Sequence, residues 1–276
     1  MKEAKEACPL RRDGHIHSPY CPHGTNDTFS DYVETAISLG FEEITFTEHA
    51  PLPKGFIDPT PAKDSGMKEH DIHDYFHDIK KVKNKYKGQI KINCGLEIDY
   101  IEGFEEETMS FLAKFGPNLD DAILSVHFLK QENGYECMDY SPEVFGEMVK
   151  DYGSVDALYR KYYETLKKSI LADLGPYKPK RIGHMTLAHK FQKKFPVSGD
   201  FNNEIEDLLL TIKNAGYELD YNGAGTAKPL CREPYPPNWV VERALELEIP
   251  LVYGSDAHQK KELAQGLPFM TFTKTS

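Results

Sequence analysis

Short apolar runs alternate with longer amphipathic stretches along the whole chain. The runs at 12–17, 43–47, 89–98, 121–127, 180–184, 217–221 and 249–253 read as strands. Helices are expected between them, at about 28–39, 69–87, 104–115, 154–174, 202–215 and 237–247. In 154–174, Leu158, Tyr162, Leu166 and Ile170 recur at four-residue spacing with charges between them, which makes one apolar stripe. In 202–215, Ile205, Leu208, Leu209 and Ile212 share a face, and Gly216 follows as a stop. Strands alternating with helices imply βαβ units around a parallel sheet. Seven such strands with no internal break in composition favour one closed or nearly closed barrel. Two stretches are expected as loops. The segment 50–67 holds Pro51, Pro53, Pro59 and Pro61, and 131–152 is polar and aromatic without clear period. Such segments often border a site.

The ends of these strands carry the chemistry. The first ends in His15 and His17, the second in Glu48 and His49, the third in Glu97, the fourth in His127 and the fifth in His184. The last is followed by Asp256 and His258. In a parallel barrel the C-terminal strand ends meet on one face, where the βα loops build the active site. The x-spaced pairs His15/His17 and Asp256/His258 keep period two, so each pair leaves one face of the chain. His23 follows in a Pro-flanked loop able to fold over the mouth. Seven histidines with Glu97 and Asp256 are nine candidate ligands. One zinc takes three or four, so two or three divalent metals are implied, with Zn, Fe and Mn all suited to imidazole and carboxylate. Packing does not explain so many at equivalent positions. By contrast, His70, His73 and His77 alternate with Glu69, Asp71, Asp74 and Asp78, and a solvated helix face is expected there. Glu48 should point away from His49, as a group orienting a ligand from behind. His189 is expected in a packing or supporting role.

Composition narrows the function classes. The chain has 276 residues, 33 Lys and Arg against 44 Asp and Glu, and a net charge of −11. Without a cationic excess, nucleic acid is not an expected partner. Mean hydropathy is −0.56, and no apolar run approaches the roughly 18 residues of a membrane span. The first ten residues, MKEAKEACPL, are charged and lack the apolar core of a secretory signal. Five cysteines without a C-x-x-C fit a reducing, cytoplasmic compartment. No G-x-S-x-G, G-x-G-x-x-G or P-loop supports a serine hydrolase or a nucleotide cofactor.

The motifs H-I-H at 15–17, T-E-H at 47–49, G-L-E at 95–97, S-V-H at 125–127, G-H at 183–184 and S-D-A-H at 255–258 resemble, in order, those of the PHP (polymerase and histidinol phosphatase) superfamily. C-P-H-G at 21–24, T-E-H-A-P-L at 47–52, K-P-L-C at 228–231 and Y-P-P at 235–237 resemble its histidinol-phosphate phosphatase branch in particular. The resemblance implies an α/β fold, a distorted (β/α)7 TIM-like barrel with its metal site at the C-terminal strand ends. It spans about 11–258, leaving 1–10 as an extension before a single barrel domain of 11–276. It also implies a trinuclear centre. His15, His17, Glu97 and Asp256 would hold the first metal. Glu97, His127 and His184 would hold the second, with Glu97 bridging, and His23, His49 and His258 the third. Where family members often use Arg, this chain has Lys190 and Lys228, which keep the charge but lose the planar fork of guanidinium. Arg232 is a third candidate for the phosphate.

The activity so implied is hydrolysis of the phosphomonoester L-histidinol phosphate in histidine biosynthesis. The expected nucleophile is a hydroxide bridging two metals. Lys190 and Lys228 would neutralise the phosphoryl oxygens, and Asp256 would accept the proton of the attacking water. The rival readings are a different small phosphomonoester, a nucleic-acid phosphodiester, or a non-catalytic metal-binding barrel. Loss of a ligand would favour the last, and none is lost.

Overall fold

In the computed structural model, which describes residues 11–271, the chain runs β1 (Arg12–Ile16), α1 (Phe29–Ser38), β2 (Glu43–His49), α2 (Ile72–Lys85), β3 (Lys91–Asp99), α3 (Glu105–Phe115), β4 (Asp121–Ser125), β5 (Phe128–Gln131), β6 (Gly134–Cys137), α4 (Pro142–Tyr152), α5 (Val155–Leu171), β7 (Arg181–Ile182), α6 (Asn202–Ala215), β8 (Glu218–Asn222), α7 (Asn238–Glu246) and β9 (Leu251–Gly254). Seven strands form one sheet in the order β1-β2-β3-β4-β7-β8-β9, and every neighbouring pair is parallel. The ring closes between β1 and the segment after β9. Ile16 bridges Ala257, the His17 N–H donates to the Ala257 carbonyl at 3.0 Å, and the Asp256 N–H donates to the His15 carbonyl at 2.7 Å. The expected seven-stranded α/β barrel is therefore present, nearly closed. The expected extension, residues 1–10, lies outside the described residues.

The helices form where the apolar stripes predict. Leu158, Tyr162, Leu166 and Ile170 of α5 are all buried, each such side chain contributing ~1.5–3 kcal/mol. The helix begins on a Ser154 cap and stops three residues before the expected end. α6 ends at Gly216 in the left-handed region, φ 67°, which costs glycine nothing.

Two expectations change. The strand read as 121–127 ends at Ser125, and the chain then turns into an antiparallel hairpin of β5 and β6. The supposed loop 131–152 also contains α4, capped by Ser141, whose hydroxyl accepts from the Val144 N–H at 3.1 Å. Only Phe145 and Met148 of α4 are buried, so its periodic signal was faint. The 50–67 segment has no helix or strand, as expected. Its Leu52 and Phe56 pack against a small cluster of Ile101, Phe128 and Cys137, seating the loop beside the hairpin. The strand read as 180–184 shrinks to the two residues of β7. Among the described residues, no helix is long and apolar enough to cross a membrane.

The barrel interior is polar at its floor. Arg181 is 1% exposed, donating to Asp121 Oδ2 at 2.6 Å and to the Gly14 carbonyl at 3.0 Å. A Cβ on Gly14 would lie 2.4 Å from Arg181 Nη1, so only glycine fits there. The register of β1 against β2 slips between Asp13 and Ile16. Such an irregularity re-aims the side chains beyond it, and here those are His15 and His17.

Candidate metal centre

His49 and Glu97 are partners across the β2–β3 ladder, so their side chains emerge together at the mouth of the barrel. Glu97 is 1% exposed, and its two oxygens face different neighbours. Oε1 accepts from the Ser125 hydroxyl at 2.6 Å and lies 3.0 Å from His184 Nε2 and 3.8 Å from His127 Nε2. Oε2 lies 3.1 Å from His49 Nδ1, 3.5 Å from His15 Nε2 and 3.7 Å from His17 Nε2. Asp256, in the left-handed region at φ 54°, brings Oδ1 to 3.0 Å from His17 Nε2 and 3.6 Å from His15 Nε2. The rings of His17 and His258 stack with centroids 3.9 Å apart.

Three clusters result in which the ligand-capable atoms lie within 4.8 Å of one another: His15, His17 and Asp256; Glu97, His127 and His184; and His17, Cys21, His49 and His258. Eight of the nine expected ligands thus fall into them. His23 stands just outside, with its ring centroid 5.2 Å from His49 and 5.0 Å from His258, and Nδ1 3.0 Å from the Asp64 carbonyl.

Carboxylates hold three of the imidazoles from behind. Asp220 Oδ2 meets His15 Nδ1 at 2.8 Å, Glu48 Oε1 meets His17 Nδ1 at 3.3 Å, and Asp99 Oδ1 meets His127 Nδ1 at 2.7 Å. In each case Nε2 is left facing the cluster, the arrangement that fixes a metal-binding tautomer. Glu48 performs the supporting part expected of it, and also accepts from the Ser18 amide at 2.8 Å. Asp99 and Asp220 were missed. Asp99 follows Glu97 at period two, and Asp220 belongs to β8, the strand that seemed to contribute nothing. Asn222 Nδ2 donates to both Asp220 Oδ2, at 3.1 Å, and Asp256 Oδ2, at 3.2 Å.

The electrostatics suit cations. Burial alone would depress His15, but Asp220, Asp256 and Glu97 carry its pKa well above the usual value. His17 is raised to about 9 against burial, chiefly by its hydrogen bonds to Asp256 and Glu48. His258 is driven well below its ordinary value by burial and by His17, so it stands neutral, the metal-binding form. Burial opposes the charge on Glu97, yet the imidazoles of His15 and His49 hold its pKa well below the carboxylate range. His15 Nε2 and His49 Nδ1 approach Glu97 Oε2 without forming an aligned hydrogen bond, and His184 Nδ1 is buried with no partner. Poorly satisfied buried nitrogens are costly, and with carboxylate oxygens alongside they are a donor set that fits several divalent transition metals.

The clusters open into a cavity of about 430 Å³, lined also by Asp139, Tyr140, Lys190 and Lys228. Lys190 Nζ donates to Asp139 Oδ2 at 2.8 Å. Burial would lift the pKa of Asp139, but Lys190 and His127 hold it well down. Lys228 is exposed at the rim. Arg232 is exposed with φ 70° and does not line the cavity. His189 is turned elsewhere, 2.7 Å from Glu233 Oε1 and 3.0 Å from the Tyr163 hydroxyl. His70, His73 and His77 are exposed and belong to none of the three clusters.

The chain matches the PHP domain family over residues 13–224. It is 50% identical over 253 residues to the histidinol-phosphatase of Bacillus subtilis (strain 168), covering 90% of this chain and 94% of that one. The hisK protein of Listeria monocytogenes superposes with a TM-score of 0.90 at 40% identity, covering 94% of this chain and 100% of that one. A histidinol phosphate phosphatase of Lactococcus lactis, crystallised with zinc, L-histidinol and phosphate, shares the fold with a TM-score of 0.66 at 21% identity, covering 91% and 87%.

Proposed function

The chain belongs to the PHP-domain family of histidinol-phosphatases, and from that premise we propose how its own residues hydrolyse L-histidinol phosphate to L-histidinol and phosphate. One observation carries the reading: a single buried carboxylate, Glu97, turns one oxygen to each of two histidine groups. We assign His15, His17, Glu97 and Asp256 to a first metal, Glu97, His127 and His184 to a second, and, by motif, His23, His49 and His258 to a third. Zn, Fe and Mn all suit these donors, and zinc is what the Lactococcus protein holds. When bound, such metals supply Lewis acidity toward phosphoryl oxygens and lower the pKa of water.

The remaining work falls to side chains. Lys190, steadied by Asp139, and Lys228 at the rim take the charge of the phosphoryl oxygens. Asp256 receives the proton of the attacking water at Oδ2, the oxygen that Asn222 orients. Arg232, outside the cavity, is left without a part. The cavity is of a size that takes a small ligand, with the histidinol portion lying toward the 50–67 loop and the hairpin. We take residues 11–276 as one catalytic barrel. The four described cysteines are unpaired and buried, which supports a reducing, cytoplasmic setting.

The test is phosphate release by metal-analysed protein from histidinol phosphate, p-nitrophenyl phosphate and single-stranded DNA. The expected outcome is a kcat/KM highest for histidinol phosphate. Equal turnover of p-nitrophenyl phosphate, or preference for DNA, would overturn the assignment.

A further inference from the structure

Six carboxylates line the cavity into which the clusters open: Asp64, Glu97, Asp99, Asp139, Asp256 and Glu262. Five of them are already engaged. Glu97 and Asp256 face the imidazoles of the clusters. Asp99 holds His127 Nδ1 at 2.7 Å, and Asp139 holds Lys190 Nζ at 2.8 Å. Glu262 accepts from the His258 N–H at 3.0 Å and from Gln259 Nε2. Asp64 differs. Its carbonyl meets His23 Nδ1 at 3.0 Å, but among the described residues its carboxylate has no hydrogen-bond or ion-pair partner.

The 50–67 loop holds Asp64 at the cavity wall. Asp58, 9% exposed, accepts from the Thr60 N–H at 2.9 Å and the Ser65 N–H at 3.1 Å. It also accepts from the hydroxyls of Thr60 at 2.8 Å and Ser65 at 3.1 Å. The Met67 N–H donates to the His49 carbonyl at 3.1 Å, which ties the end of the loop to the metal-bearing strand β2. Asp64 is thus fixed beside the centre, half-buried, and its charge is felt at His23. A group held in place before binding loses little freedom on binding.

The substrate demands an anion at such a place. The ammonium of histidinol phosphate is borne on the carbon next to the ester methylene, so it cannot stray far from the phosphoryl group. With the phosphoryl group against the clusters and Lys190, the ammonium must meet the wall immediately beside them. A cation buried there without a partner would be costly, and the engaged carboxylates would have to give up their own partners to receive it. We propose that the Asp64 carboxylate receives the ammonium of histidinol phosphate, and so sets the preference of the cavity for phosphate esters that carry an amine beside the ester over those that lack it. The inference rests on the histidinol phosphate reading above and names the residue behind its selectivity.

The experiment compares full-length, metal-loaded wild type with Asp64→Asn and Asp64→Ala on two substrates, histidinol phosphate and its desamino counterpart, 3-(imidazol-4-yl)propyl phosphate. Losing a charge-assisted hydrogen bond to the ammonium should shrink the ratio of the two kcat/KM values roughly 10- to 150-fold. Calorimetric titration with L-histidinol should show binding weakened by a similar factor, with metal content by elemental analysis as in the wild type. An unchanged ratio places the amine elsewhere and overturns the proposal. Equal losses on both substrates, or loss of metal, overturn it too, since Asp64 would then act through His23. A wild type that turns over both esters equally well overturns the amine site, and one that turns over neither overturns the phosphatase reading itself. Should Asp64→Ala fail to fold, the isosteric Asp64→Asn decides.

Discussion

Glu97 is the residue on which the two inner clusters converge, one carboxylate oxygen facing each. Glu97→Ala should release at least one metal per chain and lower turnover by several orders of magnitude, as elemental analysis beside steady-state kinetics will record. Replacing His70, His73 and His77 together by Gln should leave metal content and kcat nearly unchanged, because exposed substitutions usually stay within about ±0.5 kcal/mol. Lys190→Ala separates phosphate binding from metal binding. Losing a charge-assisted hydrogen bond of ~1.5–3 kcal/mol lowers kcat/KM roughly 10- to 150-fold with metal content intact. Wild-type kinetics in that variant would place the phosphate elsewhere. The histidines were legible because imidazoles at successive strand ends are rare by chance, and period two fixes their side. Asp99, Asp220 and Asn222 were not. A carboxylate two residues past Glu97, or one within an apolar strand, looks like any other until the fold sets it 2.7 or 2.8 Å behind a histidine.

Between residue and fold lies the fit of one element against its neighbour. Gly183, directly after β7, has no room for a side chain: a Cβ would lie 2.1 Å from Ser125 Oγ, the hydroxyl that donates to Glu97. Gly183→Ala should therefore act on the metal centre as well as on packing. Overpacking costs ~1–3 kcal/mol, and disturbing a group that supports a ligand weakens metal affinity about 10- to 100-fold. Ser125→Ala should reproduce the affinity loss without the overpacking. Metal titration and thermal melts of the two variants distinguish the contributions, and unchanged affinity in both would show that Ser125 does not orient Glu97. Elements were legible in proportion to their buried stripe. α5 and α6 declared themselves, whereas α4 buries two side chains and was read as loop, although Ser141 as cap with Pro142 as first helical residue was a start signal in plain view. β7, two residues long, falls below what periodicity can locate.

For the molecule as a whole, the notable fact is where the ring closes. The seam between β1 and the segment after β9 rests on one isolated bridge and a few backbone hydrogen bonds, and the first cluster straddles it, with His15 and His17 on one side and Asp256 on the other. Metal bound there crosslinks the two edges and stabilises the folded state by mass action, ~2.7 kcal/mol at a hundredfold excess over Kd. Chelation should lower Tm and speed hydrogen exchange of the His17 and Asp256 amides ahead of those in β2 and β3. Uniform exchange across the sheet would show that the seam is not selectively held. Seven strand-like runs made a barrel legible from the sequence; this seam was not, since its pairing is irregular.

The same seam imposes an order on how the protein is made. His17 and Asp256 are 239 positions apart in the chain, while Glu97, His127 and His184 are all synthesised well before the last strand. A ribosome-bound chain therefore carries the second cluster's ligands long before it can assemble the first. The two imidazoles at its beginning must wait for a carboxylate near its end, so a prematurely terminated product lacking Asp256 cannot complete the first cluster.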